Sequence, residues 1–269
     1  MKPSILVPVD FTDNAFNAYN YANNLAYFLD CKLHLLHVVI NDSLKPLSPE
    51  QVSIKLKSFA SWHPNETGNK FFPIETTYEI LTGDVANQVV SRSQDEGFSF
   101  IVCATRDDHT LRDKWLGTIS SEIALAADIP VILVPKSARF ASLDTIVVGC
   151  DEHTGDERVL AQLAKMSDWF ESEIHFVHVS ENEDAKFVAI EKDIFGTITA
   201  LQKKVLKVKM SSLNAIDIVN ALFTYSTRNQ ADLLVMISEK RNFLKRLLFQ
   251  SMSRKASLET SVPTMIMHL

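Results

Sequence analysis

ILVPVD at residues 5–10 and TIVVGCD at residues 145–151 are the two stretches from which the fold of this chain follows. Each is a short apolar run, rich in branched side chains, that ends in an acidic residue, a pattern typical of a buried strand followed by a turn. KLHLLHVV at 32–39 matches EIHFVHV at 173–179 at the same separation of 141 residues. Two matches at one separation indicate an internal repeat.

The repeat continues toward the end of each copy. FSFIVCA at 98–104 matches ADLLVMI at 231–237, and IPVILVP at 129–135 matches VPTMIMH at 262–268, now 133 residues apart. The second copy has therefore lost eight residues between its second and fourth strands, where PIETTYEIL in the first copy predicts an outer strand. The landmarks predict five strands in each of two domains, at residues 1–138 and 143–269.

Helical patterns separate the strands. After a cap at Thr12 or Asp13, small and apolar residues recur at spacings of three and four. A second helix is predicted to open at Gly83–Asp84, and Asn214 is the predicted cap of its counterpart. Apolar strands alternating with helices predict an α/β fold of two tandem doubly wound parallel sheets, Rossmann-like in form. The first helix is predicted to bury Ala15, Ala18, Tyr19, Ala22, Leu25, Ala26 and Leu29, the second Val85, Val89 and Val90, and the counterpart Val219, Leu222 and Phe223.

Composition and charge limit the function classes. The 269 residues are 46% hydrophobic and 22% charged, which is typical of folded globular proteins and not of disordered chains. The net charge of -6 supplies no broad positive field, so we expect no nucleic-acid partner.

Two features of the sequence bear on the compartment. The N-terminal apolar run is short and broken by prolines, unlike a secretory signal, and no run of about 18 apolar residues predicts a membrane span. Cys31, Cys103 and Cys150 form no CxxC spacing, which favours reduced thiols. We therefore expect a cytoplasmic protein without a membrane partner.

Several reactive residue types are predicted to have structural roles. His34 and His37 lie three apart on a strand and point to opposite faces, so they cannot share a metal ion. Cys103 and Cys150 have Met236 and Val9 as repeat partners, which favours a core role for both. A basic cluster is typical of an exposed helix face, with an anion or a protein partner as the alternative, and comprises Lys240, Arg241, Lys245 and Arg246 with Phe243 and Phe249.

The loop after the fourth strand contains the most informative motif. Ala104 and Asp107 are followed, nine residues later, by Gly117 and Thr118 at the start of a helix. Together with VPVDFT, HLLHVV, GDVANQVV and PVILVP, this pattern resembles the universal stress protein family, whose nucleotide motif is Gly-x2-Gly-x9-Gly-Ser/Thr. The resemblance covers both halves, more weakly in the second, and implies an adenine nucleotide alpha hydrolase-like fold.

The resemblance also implies a binding site for ATP in the first domain. In nucleotide-binding members the acid after the first strand contacts the adenosine, the end of the second strand borders the base, and the glycine loop holds the phosphates. Glycines and helix N-termini suit phosphate because they bring backbone amides close to it. The corresponding residues are Pro8, Val9 and Asp10, then Val38 and Val39, and finally Ala104, Asp107, Gly117 and Thr118.

This loop departs from the family motif at two glycine positions. Ala104 is a mild change, but a carboxylate at Asp107 would repel a phosphate charge by roughly 4 kcal/mol at about 4 Å and an effective dielectric near 20. Arg106, Arg112 and Lys114 offer compensating charge or simply lie in solvent.

Two functions therefore stay open. The first is a non-catalytic stress-response regulator, whose domains pair internally and whose final strands associate with a second chain. The second is an ATP sensor with one site in the first domain.

The second copy departs from the motif entirely, with Ile237, Lys240, Gln250 and Ser251 at the matching positions. We therefore expect no nucleotide in that loop, although Asp151 keeps the acid position or caps the next helix. No GxSxG, HExxH, Walker or GxGxxG motif occurs, and PVDFTD lacks the glycines of a pyrophosphatase loop. We expect neither catalytic residues nor a metal site.

Overall fold

The structure of the chain is a computed structural model that divides into two compact units, residues 1–141 and 142–269. Within each unit, strands alternate with helices. Among the described residues, no helix is both long and apolar enough to cross a membrane. The structure describes residues 2–40, 48–61, 72–105, 119–150, 154–181, 186–200, 207–238 and 261–268.

The first unit contains a parallel sheet in the order β3-β2-β1-β4-β5, so β1 is its central strand. β3 pairs with β2 alone among the described strands of this unit, as the predicted outer strand should. The described elements are β1 (Ser4–Pro8), α1 (Asp13–Leu29), β2 (Lys32–Val39), α2 (Pro49–Ser61), β3 (Thr76–Thr82), α3 (Val85–Ser93), β4 (Phe98–Ala104), α4 (Ile119–Ala126) and β5 (Val131–Val134).

The second unit repeats this arrangement in the order β8-β7-β6-β9-β10, again with parallel neighbours. The predicted α/β class, with two doubly wound sheets of five strands, is confirmed. Its described elements are β6 (Thr145–Cys150), α5 (Glu157–Phe170), β7 (Glu173–Ser180), α6 (Lys186–Ala200), β8 (Lys207–Asn214), α7 (Ile218–Arg228), β9 (Leu233–Ser238) and β10 (Thr264–His268).

Helix α1 packs its predicted face into the core. Thr12, not Asp13, is the cap, and its side chain accepts a hydrogen bond from the Ala15 backbone N–H at 3.2 Å. The opposite flank of the helix buries asparagines that the apolar pattern does not reveal. Asn23 bonds both backbone groups of Phe72 at 2.9 Å, which fixes the chain leading into β3. All seven predicted core residues of α1 are buried: Ala15, Ala18, Tyr19, Ala22, Leu25, Ala26 and Leu29.

The two helices that precede β4 and β9 are capped in the same way. Asp84 accepts from the Asn87 N–H at 2.9 Å, and Asp217 accepts from the Asn220 N–H at 3.0 Å. The predicted cap at Asn214 is therefore wrong, because Asn214 is the last residue of β8 and lies three residues too early. The predicted inward residues Val219, Leu222 and Phe223 are all buried.

Gly149 of β6 lies against Leu222 of α7, and a β-carbon at this glycine would lie 2.8 Å from Leu222 Cδ1. Leu222 is buried and has little room to move. We expect Gly149→Ala to destabilise the second domain by about 1–3 kcal/mol, as overpacking does in other cores. In a Leu222→Val background, which copies the matching Val89 of the first domain, the same change should cost less. Urea unfolding of the four variants measures the difference, and equal costs in both backgrounds would contradict this contact.

Histidine 34 belongs to a polar cluster beneath α3. Its Nδ1 lies 2.8 Å from Thr77 Oγ1 and its Nε2 lies 3.1 Å from Glu79 Oε2. Arg92 Nε donates to the same Glu79 oxygen at 2.7 Å. Burial lowers the pKa of His34 despite the neighbouring carboxylate, and the Arg92 hydrogen bond holds the pKa of Glu79 below its ordinary value.

These shifts predict acid sensitivity of the first domain. Both groups bind protons more readily in the unfolded chain, so protons favour unfolding. His34 should contribute its full stability above a pH of about 6.5 and lose it as the pH falls below that value, with Glu79 adding to the loss nearer pH 4.5. The melting temperature should fall less steeply from pH 7 to pH 5 in His34→Gln than in the wild type. Parallel slopes in the two proteins would refute this account.

Candidate functional site

A cleft of about 420 Å³ opens at the carboxyl ends of β1, β2 and β4. Because β2 and β4 flank β1 on opposite sides, this is the point where the strand order of the sheet reverses. Ligands of doubly wound sheets bind at this position, since the helices on either side diverge there and leave a crevice. The cleft is therefore the candidate site of the first domain.

Most of the predicted site residues that the structure describes meet in this cleft. Its wall includes Pro8, Val9 and Asp10 after β1, Val38 on β2, and Ala104 at the end of β4. Val39 is not among the described wall residues; its carbonyl accepts from the Gly83 N–H at 3.0 Å, toward β3. Neighbouring strand residues face opposite ways, which separates Val38 from Val39. Asp107, Gly117 and Thr118 lie outside the described residues.

Asp10 is the acidic residue of the described wall, and Thr12 holds it in place. Asp10 Oδ1 accepts from the Thr12 backbone N–H at 3.0 Å and from Thr12 Oγ1 at 2.6 Å. The intervening Phe11 has a left-handed backbone with φ of 65°, an unusual conformation for an aromatic residue. Since Thr12 also caps α1, the turn fixes the Asp10 carboxylate relative to the helix.

His37 links the ends of β1 and β2. Its Nδ1 donates to the Val9 carbonyl at 2.7 Å, and its ring lies 4.6 Å from that of Phe11. In the second unit, His178 Nδ1 donates to the Cys150 carbonyl at 3.1 Å. The repeated histidine therefore has a repeated hydrogen bond, which packing alone does not explain. The sequence signal was present, because Val9 and Cys150 are separated by the same 141 residues as the two histidines.

Asn14 connects the start of α1 to the residue that follows β4. It lines the cleft, and its Nδ2 donates to the Thr105 carbonyl at 3.2 Å. The Thr105 N–H in turn donates to the Val134 carbonyl at 3.0 Å. Two hydrogen bonds thus anchor the backbone immediately before residue 106. No motif marks Asn14, so sequence reasoning missed it.

Cys103 forms part of the cleft wall but is only 3% exposed. Burial raises the pKa of its thiol to about 12, so the thiol stays protonated at neutral pH and is a poor nucleophile. Cys31 and Cys150 are also buried and free. The predicted core role of Cys103 and Cys150 is therefore confirmed.

The second unit differs at the position that matches Asn14. Gly155 stands there, and the side chain of Asp193 on α6 occupies the space that a β-carbon would need. Thr197 of the same helix donates to the Gly155 carbonyl at 3.0 Å. Asp151, Lys240, Gln250 and Ser251 lie outside the described residues, as does the rest of the predicted basic cluster.

Comparisons with known proteins agree on one family. The family model described as "Universal stress protein family" matches residues 1–135 and 142–268. A universal stress protein from Archaeoglobus fulgidus DSM 4304 is 18% identical, with a TM-score of 0.67 over 99% of this chain and 96% of that one.

A functionally unknown protein from Pseudomonas aeruginosa PAO1 has a TM-score of 0.61 at 12% identity, over 99% of this chain and 92% of that one. No curated protein gives a significant match. The family model nevertheless accounts for both halves of the chain, one copy in each. This chain belongs to the universal stress protein family.

Proposed function

We propose that this protein is a cytoplasmic, non-catalytic stress-response regulator whose first domain binds one adenine nucleotide. The cleft in the first domain carries this proposal. It lies where the strand order reverses, and it brings together Pro8, Val9, Asp10, Val38 and Ala104, the family's nucleotide positions.

The described wall suits an adenosine group. Its volume of about 420 Å³ is within the range of small-molecule sites. Val38, Ile40 and Val85 supply an apolar surface for a base, and Asp10 supplies a carboxylate that accepts hydrogen bonds from ribose hydroxyls. Thr12 occupies only Oδ1 of that carboxylate in the described contacts, which leaves Oδ2 for the sugar.

We assign the site to the first domain because the second has lost two of its parts. Gly155 replaces Asn14 and is covered by Asp193, and the loop after β9 carries none of the motif glycines. A carboxylate in that position disfavours a phosphate group by charge repulsion.

The two reactive side-chain types in the wall support a role without catalysis. Burial keeps the Cys103 thiol protonated, and His37 spends one ring nitrogen on the Val9 carbonyl. A nucleophile needs a nearby general base, and a general base needs a free nitrogen facing its substrate. We therefore propose that bound nucleotide acts as a signal, and that the two domains together, or a second chain joined through the final strands, transmit it.

Calorimetry of the purified full-length protein with ATP, with and without Mg²⁺, tests the proposal after any co-purified nucleotide has been identified by mass spectrometry. We expect one nucleotide per chain and no hydrolysis over hours. Failure of any adenine compound to bind would reject the nucleotide site and leave a protein-binding scaffold. A steady turnover would reject the non-catalytic role. Light scattering after size exclusion tests the pairing of chains, and a monomer would exclude it.

A further inference from the structure

The charge of the cleft wall does not match the charge of ATP. Asp10 gives the described wall a negative charge, and the remaining described wall residues are neutral or, in the case of His37, held through Nδ1 by a carbonyl. No Lys or Arg lies in the described part of the wall. Lys55, on the neighbouring helix α2, lies 5.0 Å from the Phe11 ring centroid. Phe11 is not among the described wall residues.

The sequence of the loop after β4 adds no net charge. Residues 106–118 contain three basic and three acidic side chains, and one of the acids, Asp107, replaces a motif glycine. The start of α4 contributes Ile119 and Ser120 to the wall. A single helix N-terminus strengthens anion binding by only about twofold to fivefold.

The apolar part of the wall is, by contrast, well formed. Val38, Ile40 and Val85 come from β2 and the start of α3, and Ala104 closes the opposite side. Asp10 is fixed by two hydrogen bonds from Thr12, so its carboxylate is preorganised as an acceptor for hydroxyl groups. These are the features that recognise a nucleoside, with its apolar base and its hydroxyl-bearing sugar.

We infer that the first domain recognises the nucleoside end of its ligand and gains little from the phosphates, so that adenosine, AMP and ATP bind with similar affinity. This inference rests on the proposed nucleotide site and specifies its ligand class. The cell would then supply whichever adenine compound is most abundant, and phosphate number would not be read.

Calorimetry of the full-length protein with adenosine, AMP and ATP at low and high NaCl tests the inference. We expect the three dissociation constants to agree within about threefold, and ATP binding to weaken no more than adenosine binding as salt rises. Inorganic tripolyphosphate, the matched probe without a nucleoside, should not displace adenosine.

Binding of ATP more than about tenfold tighter than adenosine, with a loss at high salt, would overturn the inference but leave the proposed function intact. Displacement of adenosine by tripolyphosphate would overturn it in the same way. Absence of binding by all three adenine compounds would reject both. The ligand series therefore separates the failure of the inference from that of the proposed function.

Discussion

Asp10→Ala is expected to weaken ATP binding by about 10–100-fold, the range that loss of a hydrogen bond to a charged group produces. The carboxylate is the acidic group of the described cleft wall, and Thr12 holds it through bonds of 3.0 and 2.6 Å to Oδ1. Removing it takes away the acceptor for the ribose hydroxyls. Calorimetry with ATP measures the effect, with circular dichroism to confirm that the variant is folded.

Asp13→Ala is the matched control. Asp13 is an exposed acid in the first turn of α1, and it is not among the described wall residues of the cleft. This variant should lose only the helix-dipole contribution to stability, about 0.3–1 kcal/mol, and should bind ATP as the wild type does. Equal losses of affinity in the two variants would mean that general negative charge, and not the Asp10 contact, matters for binding.

Tyr19→Ala should be the most destabilising of the changes considered, at about 3–5 kcal/mol for the first domain. Tyr19 is 1% exposed, and its ring lies 5.7 Å from that of Phe59. Its hydroxyl donates to the Ala60 carbonyl at 3.0 Å, which joins α1 to α2. Removing the ring leaves a cavity and an unpaired carbonyl between these helices. Urea unfolding followed by circular dichroism measures the loss.

Tyr19→Phe separates the two contributions, because it keeps the ring and removes the hydroxyl. It should cost only about 0.5–1.5 kcal/mol. If Phe were as destabilising as Ala, the hydrogen bond and not the packing would hold α1 against α2. If both changes were nearly neutral, the burial of Tyr19 would have no energetic consequence and this account of the core would be wrong.

The strands were the most predictable part of the fold. β2 and β4 begin and end where their apolar runs do, since hydrophobicity alone distinguishes a buried strand from its polar flanks. β1 is shorter than its sequence pattern, ending at Pro8 and not at Asp10. The chain turns there, with Phe11 in a left-handed conformation that no residue type in VPVDFT announces.

The candidate site was predictable where it is built from strands. Pro8, Val38 and Ala104 lie at strand ends, and their family motif located them. Asn14 and Thr12 come from a turn and a helix, where hydrogen bonds to distant backbone decide the role of a side chain. Such bonds depend on tertiary structure, and a single sequence contains no pattern for them. The same reason explains why the structural bond of His37 was missed.

Hydrogen–deuterium exchange with and without ATP tests the central claim, that the first-domain cleft is the ligand site. The account predicts slower exchange in peptides covering residues 8–15, 36–40 and 103–105, which form the described wall. Peptides at the matching positions of the second domain, such as residues 177–181, should be unchanged. Protection confined to the second domain, or binding of ATP without protection in the first, would contradict the account.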